Sequence, residues 1–136
     1  MAWAVDTCLL IDLAEEDPAF CRVSAQLLDR QRSDGLVLCP ISYIELAPVF
    51  ESDASGLQEF LGKLGVHWPE DWTAADTQAA FEAWNRYVKQ KRQGSVPKQP
   101  IADILIGAYA MRFQGLLTRN GADFSKLFPA LKVVEP

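Results

Sequence analysis

The chain opens with MAWAVDTCLLIDL, Met1–Leu13, in which a short apolar run, Ala2–Val5, ends in the carboxylate of Asp6. Apolar residues then return at helical spacing, so the stretch predicts a strand, an acid and a helix in succession. Ligands of open parallel α/β sheets bind outside the carboxyl ends of the strands, which predicts that Asp6 faces a functional crevice. The simpler alternative is that Asp6 only caps the helix by accepting a backbone hydrogen bond.

Length and composition favour one globular domain. The 136 residues match the usual size of a domain with one hydrophobic core, and apolar residues make up 49% against 23% charged residues. No apolar run approaches the ~20 residues that span a bilayer, and no signal peptide precedes the first strand. The sequence therefore predicts a single soluble, cytoplasmic domain over residues 1–136, with no membrane partner.

The cysteines and the net charge indicate which cellular compartment and which binding partners the sequence favours. Cys8, Cys21 and Cys39 are odd in number, lack a CxxC spacing and lie in apolar sequence, which is typical of buried thiols in a reducing cytosol. The net charge of −5 disfavours a nucleic-acid partner, because phosphate binding usually requires excess Lys and Arg. Divalent cations held by clustered acids would offset that deficit.

Helices and short apolar strands alternate along the rest of the chain. Strands are predicted at 36–39, 116–118 and 131–134, and helices at 18–33, from 41, at 55–65, from 73 to a basic end near 92, and at 100–115. The segment 66–72 is predicted to be an irregular connection. This alternation predicts a three-layer α/β fold with a central parallel β-sheet flanked by helices.

Helical spacing also predicts which side chains are buried. Phe20 and Val23 are expected to face inward on the second helix, and Phe81 and Trp84 belong to the expected apolar face of the long helix. Small residues at Gly107 and Ala110 are expected to let the next helix pack close against the sheet.

Two further acids occupy positions that a parallel sheet would bring near Asp6. Asp123 follows the strand at 116–118, and Asp103 lies in the first turn of the helix that leads into that strand. Right-handed crossovers place the carboxyl ends of such strands at one rim. The alternative for Asp103 is a favourable interaction with the helix dipole. A third acid, Glu45, is the least determined by pattern alone.

One basic segment stands out in this acidic chain, and it contains Lys89, Lys91, Arg92 and Lys98. It is either a solvated helix terminus whose cations complement the helix dipole or a surface that contacts a phosphate backbone.

Four segments resemble the PIN-domain ribonucleases, especially the VapC-like toxins of bacterial toxin-antitoxin pairs: AVDTCLLIDL, ISYIEL, IADILIGAYAMRFQGLLTRNGADF and LKVVEP. The resemblance runs from Ala4 to Pro136, although residues 52–99 match only in being helical. By that resemblance, the catalytic acids of the family correspond to Asp6, Glu45, Asp103 and Asp123. The polar positions around the fourth acid correspond to Thr118 and Asn120, and some relatives carry aspartate at the latter.

Four carboxylates in one pocket repel one another unless cations occupy it. Oxygen donors without a His or Cys cluster suit Mg²⁺, with Mn²⁺ as a substitute, and such ions activate water and hold a phosphodiester. The expected metal ligands are Asp6, Asp103 and Asp123. Glu45 is expected to be a further ligand or the group that orients the attacking water.

The resemblance implies an endoribonuclease that cuts single-stranded or looped RNA to leave a 3′ hydroxyl and a 5′ phosphate. It also implies a symmetric homodimer and a small antitoxin protein as partner. Two alternatives stay open. An α/β phosphatase with Asp6 as nucleophile would usually have a second acid where Cys8 stands, and a catalytically silent PIN-like binding module would not need the acids that are present.

Overall fold

The computed structural model describes residues 1–92 and 101–136, with side chains through residue 91 in the first range. These residues form five short strands: β1 (Trp3–Val5), β2 (Leu36–Val37), β3 (Val66–His67), β4 (Gly115–Leu117) and β5 (Val133–Val134). All four strand pairs are parallel, and the order across the sheet is β3-β2-β1-β4-β5. The strand that opens the chain is therefore at the centre of the sheet.

Seven α-helices lie in the described ranges: α1 (Thr7–Ala14), α2 (Cys21–Gln31), α3 (Pro40–Glu45), α4 (Ala54–Leu64), α5 (Ala74–Arg92), α6 (Ile101–Ala110) and α7 (Gly121–Leu127). A short 3-10 helix, Arg32–Asp34, follows α2. Successive residues of a strand face opposite sides of the sheet, so Ala4 packs under α5, α6 and α7, whereas Trp3 and Val5 pack under α1, α2 and α4. The predicted three-layer, PIN-like α/β class is confirmed.

The predicted irregular connection at 66–72 is wrong in its first two residues, which form the edge strand β3. Val66 is buried and His67 is exposed, so this strand has none of the continuous apolar run that marks β1. A two-residue edge strand pairs through its backbone on one side only, and its side chains give little sequence signal.

Two helices begin at a different residue from the one predicted. The helix predicted from Pro18 begins at Cys21, since the Asp17 carboxylate accepts bonds from the amides of Ala19 and Phe20 at 2.8 and 2.9 Å and holds them in a turn. Ser55 does not cap α4. That role belongs to Asp53, which accepts a hydrogen bond from the Gly56 amide at 3.1 Å.

The helix predicted from residue 73 opens with a capping box formed by Thr73 and Asp76. The Thr73 amide donates to Asp76 Oδ2 at 2.9 Å, and the Asp76 amide donates to Thr73 Oγ1 at 3.3 Å. Aspartate therefore serves where glutamate or glutamine is more usual.

The inward-facing residues predicted for α2 and α5 are wrong in part. Phe20 and Val23 are exposed, and Phe81 is 70% exposed because α5 packs through Ala80, Ala83 and Tyr87 instead. Trp84 is likewise exposed. Small residues at the contact let α5 and α6 approach closely, and the larger apolar side chains remain at the rim.

Gly107 does allow close packing, but its neighbour is a ring and not the sheet. A β-carbon at this position would overlap the ring of Phe128, which follows α7. In the described ranges, no helix combines the length and apolar character needed to cross a membrane.

Candidate active site

Asp6 connects the central strand to the first helix. Its amide donates to the Leu117 carbonyl at 2.9 Å, so β1 and β4 end side by side. Its Oδ1 accepts a hydrogen bond from the Thr7 amide at 2.8 Å, and Oδ2 accepts one from Thr118 Oγ1 at 2.6 Å. The capping alternative and the crevice prediction are thus both realised, because one carboxylate caps α1 and lines the crevice described below.

Burial is the largest influence on the Asp6 carboxyl group, and it raises the pKa above the ordinary value. Hydrogen bonds from Thr118, Cys8 and the Thr7 amide lower the pKa in part, whereas the negative charge of Glu45 raises it further. No Lys or Arg of the described ranges forms an ion pair with Asp6. A buried carboxylate without a protein counter-charge favours a cation or a proton.

Glu45 is the last residue of α3, and its side chain is connected to α1 through Thr7. The Thr7 hydroxyl donates to Glu45 Oε1 at 2.6 Å, across 38 positions of sequence. Glu45 itself is exposed, whereas Thr7 is buried. The acid that pattern determined least is therefore held by a specific contact beside Asp6.

Asp103 lies in the first turn of α6 and is half-buried. Burial, followed by the negative charges of Asp6, Asp123 and Glu45, raises its pKa to about 6. The other three predicted acids are thus close enough to Asp103 for their charges to act on it.

The polar residues near the fourth acid divide into two groups. Thr118 is fully buried, and its hydroxyl donates a hydrogen bond to Asp6. The same hydroxyl oxygen accepts a hydrogen bond from the Asn120 amide at 3.0 Å. Asn120 and Asp123 are exposed at the start of α7, and the Asn120 side chain makes no capping hydrogen bond to that helix. Thr118 therefore supports Asp6, whereas the other two side chains face solvent.

A crevice of about 430 Å³ opens between the starts of α1 and α6 and the end of α3. Its polar lining comprises Asp6, Thr7, Cys8, Glu45, Asp103 and Asn120, and its apolar lining comprises Ile11, Ile44 and Pro48. Asp123 is outside this lining, although its charge reaches Asp103.

The donor types in the crevice suit a hard divalent cation, because carboxylate and amide oxygens are available and no histidine lines it. Within residues 1–92 and 101–136, however, no group of three or more His, Cys, Asp or Glu side chains is arranged to hold a metal ion. The ligand set of Asp6, Asp103 and Asp123 stays a prediction that requires these side chains to move closer together.

Thr7 and Cys8 belong to the crevice, but the sequence did not identify them as site residues. The Cys8 thiol lies 3.4 Å from Asp6 Oδ2 and 3.7 Å from Thr118 Oγ1. Burial and the charge of Asp6 raise the pKa of Cys8 to about 12, so the group is a neutral thiol that donates a weak hydrogen bond. The sequence could have indicated these two residues only by their positions directly after Asp6, at the start of a helix.

The predicted basic surface is described only in part. Lys89 and Lys91 are exposed on the last turns of α5, and Arg92 is its final residue. Lys98 and the predicted loop at 94–99 lie outside the described residues.

The fold and the crevice define a class of protein: an all-parallel, three-layer α/β protein with acids clustered at the carboxyl ends of its central strands. The structure is similar to the crystal structure of VapBC2 from Rickettsia felis bound to a DNA fragment from their promoter. The TM-score is 0.71 at 20% sequence identity, and the match covers 100% of this chain and 99% of that chain. At this identity the likeness establishes the fold alone. No protein-family model and no curated protein matches the sequence.

Proposed function

We propose that this protein is a metal-dependent endoribonuclease that hydrolyses RNA phosphodiester bonds and acts as the toxin of a toxin-antitoxin pair in the cytoplasm. One observation carries the proposal: Asp6, Glu45 and Asp103 line one crevice, where burial and the charges of Asp6, Asp123 and Glu45 raise the pKa of Asp103 to about 6. Mutual repulsion of this kind disfavours the metal-free state and favours a bound cation. The fold shared with VapBC2 supports the same reading.

The four acids divide into two roles in this proposal. Asp6, Asp103 and Asp123 would hold Mg²⁺, or Mn²⁺ in its place, and Thr118 would fix the orientation of Asp6 through its 2.6 Å hydrogen bond. The bound ion supplies positive charge against the scissile phosphate and lowers the pKa of a water molecule. Glu45, at the rim of the crevice, would orient that water for attack on phosphorus.

A cleavage assay on RNA, DNA and a small phosphomonoester, with Mg²⁺ or with EDTA, tests the proposal. We expect cleavage of RNA only when Mg²⁺ is present, with 3′ hydroxyl and 5′ phosphate ends. Hydrolysis of the phosphomonoester would instead support the phosphatase alternative, which the Cys8 thiol beside Asp6 disfavours because a second acid is usual there. Inactivity on all three substrates would support a silent binding module.

The proposed partners are RNA, a second copy of the chain and a small antitoxin. Exposed apolar side chains, including Ile44 at 65% and Phe81 at 70%, provide surface for protein contacts. A basic antitoxin side chain would compete with metal for the same carboxylates. A monomer by light scattering at micromolar concentration, with no small protein co-purifying from the native host, would contradict the partner proposal.

The basic segment gives a separate prediction. If Lys89, Lys91, Arg92 and Lys98 contact RNA, replacing all four with glutamine should weaken binding and reduce the log-log salt slope by about 0.7 for each lost phosphate contact. A comparison variant neutralises three exposed cations, Arg22, Arg30 and Lys63, on α2 and α4, which pack on the opposite face of the sheet from α5. Equal slopes for both variants and wild type would indicate a solvated helix terminus.

A further inference from the structure

Thr7 contacts two of the four acids at once. Its amide donates to Asp6 Oδ1 at 2.8 Å, and its hydroxyl donates to Glu45 Oε1 at 2.6 Å. The hydroxyl must be the donor in the second contact, because an ionised carboxylate only accepts. One residue therefore links the carboxylate at the end of β1 to the carboxylate at the end of α3.

The exposure of the two partners determines what this contact does. Thr7 is only 6% exposed and β-branching limits its χ1 angle to few rotamers, so the donor hydroxyl has little freedom to move. Glu45 is exposed, and a long exposed side chain would otherwise sample several rotamers. The hydrogen bond therefore mainly restricts the rotamers of Glu45, because the Thr7 side chain is already held by its surroundings.

We propose that Thr7 is a positioning residue that holds the Glu45 carboxylate at the crevice in the orientation needed to direct the attacking water. This inference rests on the proposed nuclease function. Because Thr7 uses only Oε1, Oε2 of Glu45 remains available to accept a hydrogen bond from water. Thr7 acts through Glu45 and does not itself contact the reacting atoms.

The two contacts of Thr7 can be separated by substitution. Thr7→Val is nearly isosteric and keeps the backbone amide that caps through Asp6, so it removes the Glu45 contact alone. We expect kcat for RNA cleavage to fall about tenfold, as one well-aligned hydrogen bond to a charged group is lost. KM should stay within about twofold, because substrate binding is unchanged. Thr7→Ser should restore most of kcat, since it returns the hydroxyl.

A double-mutant cycle distinguishes positioning from a merely structural contact. In a Glu45→Ala background, Thr7→Val should cause no further fall in kcat, because the group it positions is absent. The Mn²⁺ dissociation constant, measured by isothermal titration without RNA, should match wild type in the Thr7→Val protein. Thr77→Val is the control, since it removes an exposed hydroxyl that accepts from the Trp72 indole at 2.8 Å, away from the crevice.

Three results would each overturn the positioning role. The first is an unchanged kcat in Thr7→Val, and the second is a fall in kcat on adding Thr7→Val to Glu45→Ala that equals the fall in wild type. The third is a weaker Mn²⁺ affinity of the Thr7→Val protein. If the valine variant does not fold, Thr7→Ala replaces it in the same cycle. An active wild type with an unaffected Thr7→Val variant contradicts this inference alone, whereas a wild type without RNA cleavage contradicts the proposed function as well.

Discussion

Asp103→Asn is expected to abolish RNA cleavage while leaving the metal-free protein at least as stable as wild type at neutral pH. The substitution removes, at almost constant volume, a half-buried acid whose ionised form is disfavoured by burial and by three nearby negative charges, and it also removes a proposed metal ligand. An RNA cleavage assay beside thermal melts in EDTA measures both effects. Asp29→Asn, which neutralises an exposed acid on α2, is the control and should leave cleavage unchanged.

The stability effect of Asp103→Asn should depend on pH with a definite sign. The folded protein holds the Asp103 proton up to about pH 6, whereas the ordinary pKa is 3.8. Between these values the folded state binds more protons than the unfolded state, so the stability of wild type falls as pH rises. Asparagine does not titrate, and its advantage in melting temperature should be absent below pH 3.8 and fully developed above pH 6.

The stability gained on adding Mg²⁺ is the second measurement for Asp103→Asn. Wild type should gain about 2.7 kcal/mol of stability when Mg²⁺ is present at about a hundredfold excess over its dissociation constant, and Asp103→Asn should gain much less. If Asp103 only complements the helix dipole, neutralising it would lower stability and leave cleavage intact. A destabilised, active variant with an unchanged Mg²⁺ response would overturn the metal-site proposal.

The second large effect is expected at Arg119, whose guanidinium pairs with Asp12 in α1. Asp12 is 2% exposed and accepts bonds from Arg119 Nε at 2.7 Å, Arg119 Nη2 at 2.9 Å and Ser24 Oγ at 2.9 Å. Arg119→Met leaves the carboxylate buried without a counter-charge, which should lower the free energy of unfolding by about 3 kcal/mol. Urea denaturation measures the loss.

An exposed ion pair gives the matched comparison for Arg119. Lys63 lies 3.3 Å from Glu59 on α4, and both side chains are at least 70% exposed. Lys63→Met should change the free energy of unfolding by less than about 1 kcal/mol, because water already solvates both charges. Similar losses for the two methionine variants would mean that burial of Asp12 does not govern the Arg119 contribution.

The sequence predicted the parts of the fold that depend on long apolar patterns. The run before Asp6 and the alternation of strands and helices identified a parallel sheet, and the structure confirms it. The prediction failed where one local hydrogen bond sets a helix start and where a strand is too short to show an apolar pattern. Asp53 and not Ser55 caps α4, and the two-residue strand β3 lacks an apolar run.

The sequence could propose acids for the candidate site but not the groups that hold them. A carboxylate after a strand or in a first helical turn is visible in the sequence, so Asp6, Asp103 and Asp123 could be chosen. The Thr7 contact with Glu45 joins residues 38 positions apart on two different helices, and no local pattern reports such a pairing. Phe81 and Trp84 fit a helical stripe, yet tertiary packing through alanines leaves them exposed.

The position of β1 at the centre of the sheet has a consequence for protein synthesis. Asp6 leaves the ribosome before Thr118, its side-chain partner, which follows 112 positions later. The neighbouring strand β4 also follows late, so the central pairing cannot close on a nascent chain that ends before it. Such non-local pairings form slowly compared with helical contacts. A chain that has not yet been synthesised past Thr118 therefore lacks the assembled crevice.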